Sequence, residues 1–257
     1  MAGVTLHFEE QGDSARPALI IVHGFFASAR NWRYIATQLS RQYHVFTLDM
    51  RNHGLSPHVE PMDYPTMAAD LHDFIVQRGF ISVSILGHSM GGKVALWFAV
   101  HYPELLHKLI VVDISPASYT HNFDVMITAL IALPLHDLSN RKQADDWLSQ
   151  TIAAPDFRQF LLQNLILSDG QYRWRIDLGV FKRAAPAIVG FPDTHRLKPF
   201  PDALLVLAGE QSDFVQVDTF KSLFPRATFQ TIANAGHWLH VHAPERFLAA
   251  VCEYLEG

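Results

Sequence analysis

The sequence predicts a doubly wound α/β protein, with a mostly parallel central sheet flanked by helices and a mainly helical insertion before the last strands. Three features carry that expectation. Short apolar, β-branched runs recur along the chain, helical patterns separate them, and the alternation stops between Asp113 and Ala203. The runs are "ALIIVHG" (18–24), "HVFTLD" (44–49), "VSILG" (83–87), "KLIVVD" (108–113) and "ALLVLAG" (203–209). Continuous apolar runs of this length read as strands buried on both faces, as in a parallel sheet. Helical patterns fall at 28–39, 66–79, 92–104 and 244–256, and strands alternating with helices define the class. Residues 116–200 are mostly helical in pattern and rich in apolar and aromatic side chains, with a short extended piece at "YRWRID" (172–177). The expected division is a core of residues 1–115 and 201–257 and a cap or lid over 116–200. It would lie across the carboxyl edge of the sheet, where open α/β sheets bind ligands.

Composition narrows the function. The chain has 257 residues, 49% of them hydrophobic, enough for one sizeable core. A net charge of −5 without any Lys or Arg run argues against nucleic acid or an anionic membrane as partner. The start, "MAGVTLHFEEQGDS", lacks the basic and apolar regions of a signal peptide. No apolar stretch reaches the roughly 20 residues that span a bilayer. Cys252 is the only cysteine, so no intrachain disulfide can form and a reducing compartment fits. Cytoplasm is the expected location.

One stretch carries the chemistry, and it reads two ways. In "SVSILGHSMGGKVAL" (82–96), Gly87, Ser89 and Gly91 spell G-x-S-x-G, the nucleophile elbow of serine hydrolases. Gly87, Gly92 and Lys93 also spell most of a phosphate-cradling loop, and "LIVVD" (109–113) imitates its metal-binding strand. That loop needs Ser or Thr after its lysine, and the position holds Val94, so Lys93 reads more simply as a helix residue. The elbow reading uses more of the sequence. A serine is a poor nucleophile without a base, an orienting acid and oxyanion donors. His237, in "NAGHWLH" (234–240), follows the β-rich run "ATFQTI" (227–232) and precedes the last helix, which puts it on a loop at the same sheet edge. His240 and His242 invite a metal reading, but no cysteine or carboxylate in that segment completes a tetrahedral set. For the acid, strands end at Asp113 and just before Glu210 and Asp213.

Together, "HGFFAS", "DMRNHGLSP", "GHSMGGK", "VVDISP" and "NAGHWLH" resemble the α/β-hydrolase superfamily, and within it the YbfF-type esterases and their abhydrolase relatives. The resemblance covers residues 18–118 and 203–257 and is loose over 120–200. It implies the α/β-hydrolase fold. In the superfamily at large the acid falls three residues after the glycine of the "LAG" strand, which is Ser212 here, with Asp213 one place late. In the YbfF-like group it falls on Asp113. One βαβ step also brings Asp113 beside the Ser89 strand, so Asp113 is preferred to Asp213. Asp49 ends a strand as well, but its context resembles a structural loop of the family. The residue after the nucleophile, Met90, offers one backbone oxyanion donor, and by resemblance Phe25, after His-Gly, offers the other.

The expected activity is that of a serine carboxylesterase acting on short- to medium-chain acyl esters through Ser89, His237 and Asp113, without cofactor or metal. Ser89 argues against the dehalogenases and epoxide hydrolases of the same fold, which use an aspartate. Acyl-CoA thioesterase or C–C bond hydrolysis on the same triad are the alternatives, although no concentrated basic surface stands out for the phosphates of CoA. A binding protein that keeps the fold without catalysis is a third. The expected partner is a small-molecule acyl ester or thioester, and the oligomeric state is left open. Phe157, Phe160, Trp174, Phe181, Phe191 and "FDVMITALIAL" (123–133) are either acyl-pocket lining or packing of the insertion.

Overall fold

From the N-terminus the chain runs β1 (Phe8–Gln11), β2 (Ala18–Val22), α1 (Arg33–Leu39), β3 (His44–Leu48), α2 (Tyr64–Gln77), β4 (Val83–His88), α3 (Met90–His101) and β5 (Leu106–Val112). The insertion follows with α4 (Asp124–Ala132), α5 (Arg141–Leu148), α6 (Pro155–Leu162), β6 (Leu165–Ser168), β7 (Gln171–Trp174) and α7 (Leu178–Val189). Last come β8 (Leu204–Gly209), β9 (Ala227–Ile232), α8 (Leu239–His242) and α9 (Pro244–Glu256). This is a computed structural model that describes residues 3–120 and 123–257. Residues 1–2 of the expected core and 121–122 of the expected cap lie outside the described residues.

Seven strands form one sheet in the order β1-β3-β2-β4-β5-β8-β9, parallel throughout except for β1, which pairs antiparallel with β3. Period-2 alternation feeds both faces of this sheet. Ile20, Val22, Phe46, Ile85 and Val111 point to one face, where α2 and α3 bring Leu71, Phe74, Val94 and Phe98. Leu19, Ile21, Val45, Leu86 and Ile110 point to the other, against Ile35 and Leu39 of α1 and Phe247 and Val251 of α9. The chain leaves β2 for β3 on one side and crosses back to β4 on the other. The reversal opens a crevice at the carboxyl ends of β2 and β4.

The insertion is a set of helices and one hairpin whose apolar side chains join the α2/α3 face in a single buried cluster, with Ile127, Leu130, Leu161 and Phe181 continuous with Phe25, Met90 and Val94. Polar tethers reinforce it. Tyr64 on α2 donates its hydroxyl to the Ile188 carbonyl, and Asn164 donates to the Phe26 carbonyl at 2.7 Å.

Several elements differ from the sequence expectation. β1, "FEEQ", has no apolar run, because an edge strand with one neighbour need bury little. The extended piece expected at 172–177 is the second strand of a hairpin spanning Leu165–Trp174. Asp169 and Gly170 make its turn with φ of 52° and 78°, and Asp-Gly between two extended runs is the available signal. α2 begins at Tyr64, ahead of the expected 66, because Asp63 caps it by accepting from the Thr66 N–H at 2.8 Å.

Candidate active site

Ser89 sits in the turn from β4 to α3 with φ 52° and ψ −119°, a conformation costing on the order of 1–3 kcal/mol in a residue other than glycine. The flanking glycines allow it. A Cβ on Gly87 would lie 2.3 Å from the Gly91 carbonyl oxygen, and one on Gly91 would lie 2.3 Å from that of Val22. The Ser89 N–H donates to the Val112 carbonyl at 3.0 Å, which fixes the elbow to the end of β5. The amino end of α3 points at the site with its positive dipole. The Ser89 hydroxyl engages no hydrogen-bond partner among the described residues, so it is bonded to neither protein acceptor nor base here.

Asp113 follows β5 and is wholly buried, with φ 52°. Its carboxylate receives three donors. Oδ1 accepts from the Gly209 N–H at 2.9 Å, while Oδ2 meets His237 Nδ1 at 2.7 Å and also accepts from the Ser212 hydroxyl. With Nδ1–H given to the carboxylate, Nε2 is the nitrogen left to act as a base. The imidazole is further fixed by Phe214, whose ring centroid is 4.3 Å away, and by its own carbonyl, which accepts from His88 Nε2 at 2.8 Å. Burial first, and then the neighbouring His237 and His240 rings, hold His88 well below the usual histidine pKa. It is therefore a neutral donor that pins the His237 loop.

The other acid candidates lie elsewhere. Asp213 is exposed, and Glu210 accepts from the Asn234 N–H at 2.8 Å. Asp49 accepts from the N–H groups of Ala29 and Leu55 and pairs with His7, organising a loop. The two histidines near His237 are also occupied structurally. His240 is buried and stacks on Trp32 at 4.0 Å, its pKa pushed to about 3 by burial, and His242 Nδ1 accepts from the Gly236 N–H.

Ser89, His237, Phe25 and Met90 share one cavity of about 560 Å³ at the crevice between β2 and β4. The N–H groups of Phe25 and Met90 make no hydrogen bond among the described residues. Their loops converge, since a Cβ on Gly24 would come within 3.2 Å of Ser89 Cβ. Phe123, Phe157, Phe160, Phe214, Trp238 and Ile188 supply much of the apolar wall. Of the aromatic candidates in the insertion, Phe123, Phe157 and Phe160 line this space. Phe181 is fully buried and stacks on Phe25 at 4.6 Å, Trp174 donates to the Leu130 carbonyl, and Phe191 packs near Tyr64 and Trp97.

Lys93 was legible only as a helix residue. Within α3 it is buried, and its ammonium donates to the carbonyls of Val189 at 2.9 Å and Gly190 at 2.6 Å, with Ile188 at 3.5 Å. Tyr119 and Tyr64 present ring faces 4.7 and 5.5 Å away. Burial lowers its pKa to about 7. This lysine clamps the end of α7 to the core. Apolar surroundings in the sequence gave no hint of that partner.

A strained serine elbow, a histidine on a buried carboxylate and an aromatic cavity at the switch point define a hydrolase-type α/β protein. The chain belongs to the α/β hydrolase fold family, whose profile matches residues 17–244. It is 36% identical over 257 residues to the sn-1-specific diacylglycerol lipase ABHD11 of Xenopus laevis, across 96% of this chain and 82% of that one. It is 33% identical over 241 residues to Esterase YbfF of Escherichia coli (strain K12), across 92% of each chain. Among solved structures, a marine microorganism esterase superposes with a TM-score of 0.93 at 36% identity, over 98% of this chain and 100% of that one.

Proposed function

We propose that this protein is a serine carboxylesterase that hydrolyses short- to medium-chain acyl esters through an acyl-enzyme. The observation that carries the reading is the buried Asp113 carboxylate holding His237 by Nδ1 at the rim of the cavity that Ser89 faces. His237 Nε2 takes the Ser89 proton as Oγ attacks the acyl carbonyl, and Asp113 stabilises the imidazolium. The N–H groups of Phe25 and Met90 hold the oxyanion, and removing one such donor typically costs about 10²–10³ in rate. His237 then protonates the departing alcohol, and in the second half it activates water to release the acid. Substrate binding brings Ser89 Oγ to Nε2, a contact that often tightens only in the Michaelis complex.

Relatives named esterase and diacylglycerol lipase support an oxygen ester as the scissile bond. The aromatic wall supports an apolar acyl group, and the insertion that supplies Phe123, Phe157 and Phe160 acts as a fixed lid over residues 116–200. A lone cysteine fits a cytoplasmic enzyme. No helix among the described residues is long and apolar enough to cross a membrane; the relative named esterase supports a small-molecule ester as the substrate. The test is labelling by a fluorophosphonate probe, combined with hydrolysis of a panel of esters graded by acyl length. Labelling at Ser89 that Ser89→Ala abolishes, with turnover of the shorter esters, is the expected result. A folded protein that neither labels nor turns over any ester is a binding protein instead.

A further inference from the structure

A second cleft, about 360 Å³, lies behind the wall of the first. Ser28 and Arg30 line it, whereas Asn31 and Trp32, next in the chain, line the catalytic cavity. Its charged lining is Arg30, Arg33, Arg175 and His7 against Glu9 and Asp49. Both carboxylates are already engaged. Glu9 takes the fork of Arg33 at 2.7 and 2.5 Å, and Asp49 accepts from two backbone N–H groups and pairs with His7. The guanidinium groups of Arg30 and Arg175 have no hydrogen bond or ion pair among the described residues. Arg175 is half-buried, and its charge is disfavoured first by that burial and then by Arg30, with Arg141 and Arg173 adding to it and Asp49 partly offsetting it.

A half-buried cation facing like charges, with its nearby carboxylates already committed, is the complement of a missing anion. We propose that Arg30 and Arg175 form a binding site for a phosphate-type anion beside the catalytic cavity. Two guanidinium forks from different segments suit a tetrahedral oxyanion, which accepts paired N–H groups from more than one side. The position is held rather than incidental. The Arg175 N–H donates to the Asn164 carbonyl at 2.8 Å, and Asn164 donates to the Phe26 carbonyl, beside the proposed oxyanion donor Phe25. The anion has two sources, a phosphate on the alcohol part of the ester or a free anion. The first rests on the esterase reading above.

The experiment uses the whole chain and the variant Arg30→Gln/Arg175→Gln, neither residue being part of the proposed catalytic machinery. Calorimetric titration with inorganic pyrophosphate reads the site itself. Binding to the wild type that weakens at least tenfold in the double variant and falls with added salt is the expected result. Absence of binding, or equal binding by both proteins, overturns the proposal. Hydrolysis of butanoylglycerol and butanoylglycerol phosphate then separates the sources. If the phosphate belongs to the substrate, the double variant loses about tenfold in kcat/KM on the phosphorylated ester alone. If both esters respond equally while pyrophosphate binding is lost, the site serves a free anion. Failure of the wild type on both esters, together with absence of fluorophosphonate labelling and of turnover across the ester panel, would refute the esterase reading, while the titration still decides the anion site.

Discussion

At the residue scale the proposed chemistry rests on the three donors that meet the Asp113 carboxylate. A triad aspartate changed to its amide holds the histidine in the wrong tautomer, so Asp113→Asn should lower kcat by about 10⁴ on a short ester. Asp213→Asn, at an exposed position, should stay within a few-fold. The opposite ranking reassigns the acid. Ser212 makes a finer test, because its hydroxyl donates to the same Oδ2 that holds His237. Hydrogen bonds to charged groups are worth about 1.5–3 kcal/mol. Ser212→Ala should therefore lower kcat by about tenfold with KM unchanged, whereas a merely structural serine would alter stability alone. The spacing of Gly87, Ser89 and Gly91 was readable because steric demand leaves a compositional mark. The Asp113–Ser212 bond was not, since it joins residues 99 apart through a sheet register that local pattern does not encode.

At the element scale, strands and helices were readable where burial is two-sided or periodic, as in β2, β4 and α9. Pairing partners, and elements such as β1 whose side chains are mostly polar, were not. The insertion was readable as helical but not as to which side chains face the substrate. Of 125–133, Val125 and Ile131 are exposed while Ile127 and Leu130 are buried in packing, so shortening Val125 or Ile131 should leave acyl preference unchanged. Phe157→Ala and Phe160→Ala remove cavity wall, and should move the preferred acyl group to longer chains in a panel of kcat/KM values. The clamp between α3 and α7 carries a pH signature. Lys93 falls from 10.5 to about 7 on folding. Between those values the unfolded chain binds more protons than the folded one, so stability rises with pH across that window and is level below it. The difference in unfolding free energy between wild type and Lys93→Met should follow that slope, by at most about 1.4 kcal/mol per pH unit. A flat difference would show that the amine keeps its ordinary protonation in the fold, as a solvated ammonium does.

At the scale of the whole molecule, the insertion shares one apolar cluster with the sheet face, from Phe98 and Val94 through Phe25 to Phe181 and Ile127. Heat should therefore melt both parts in a single calorimetric transition. Phe181→Ala removes a fully buried ring at the seam, and should cost about 3–5 kcal/mol while lowering that one transition. Two separated peaks would show an insertion that folds by itself. The bonds from Lys93, Tyr64 and Asn164 across the seam also govern how a molecule gets in. A roof stitched down at so many points does not swing on a hinge. Entry is left to rotation of exposed side chains that line the cavity, Gln159 and Val241, a motion of picoseconds to nanoseconds. Turnover should then be indifferent to the viscosity of the medium.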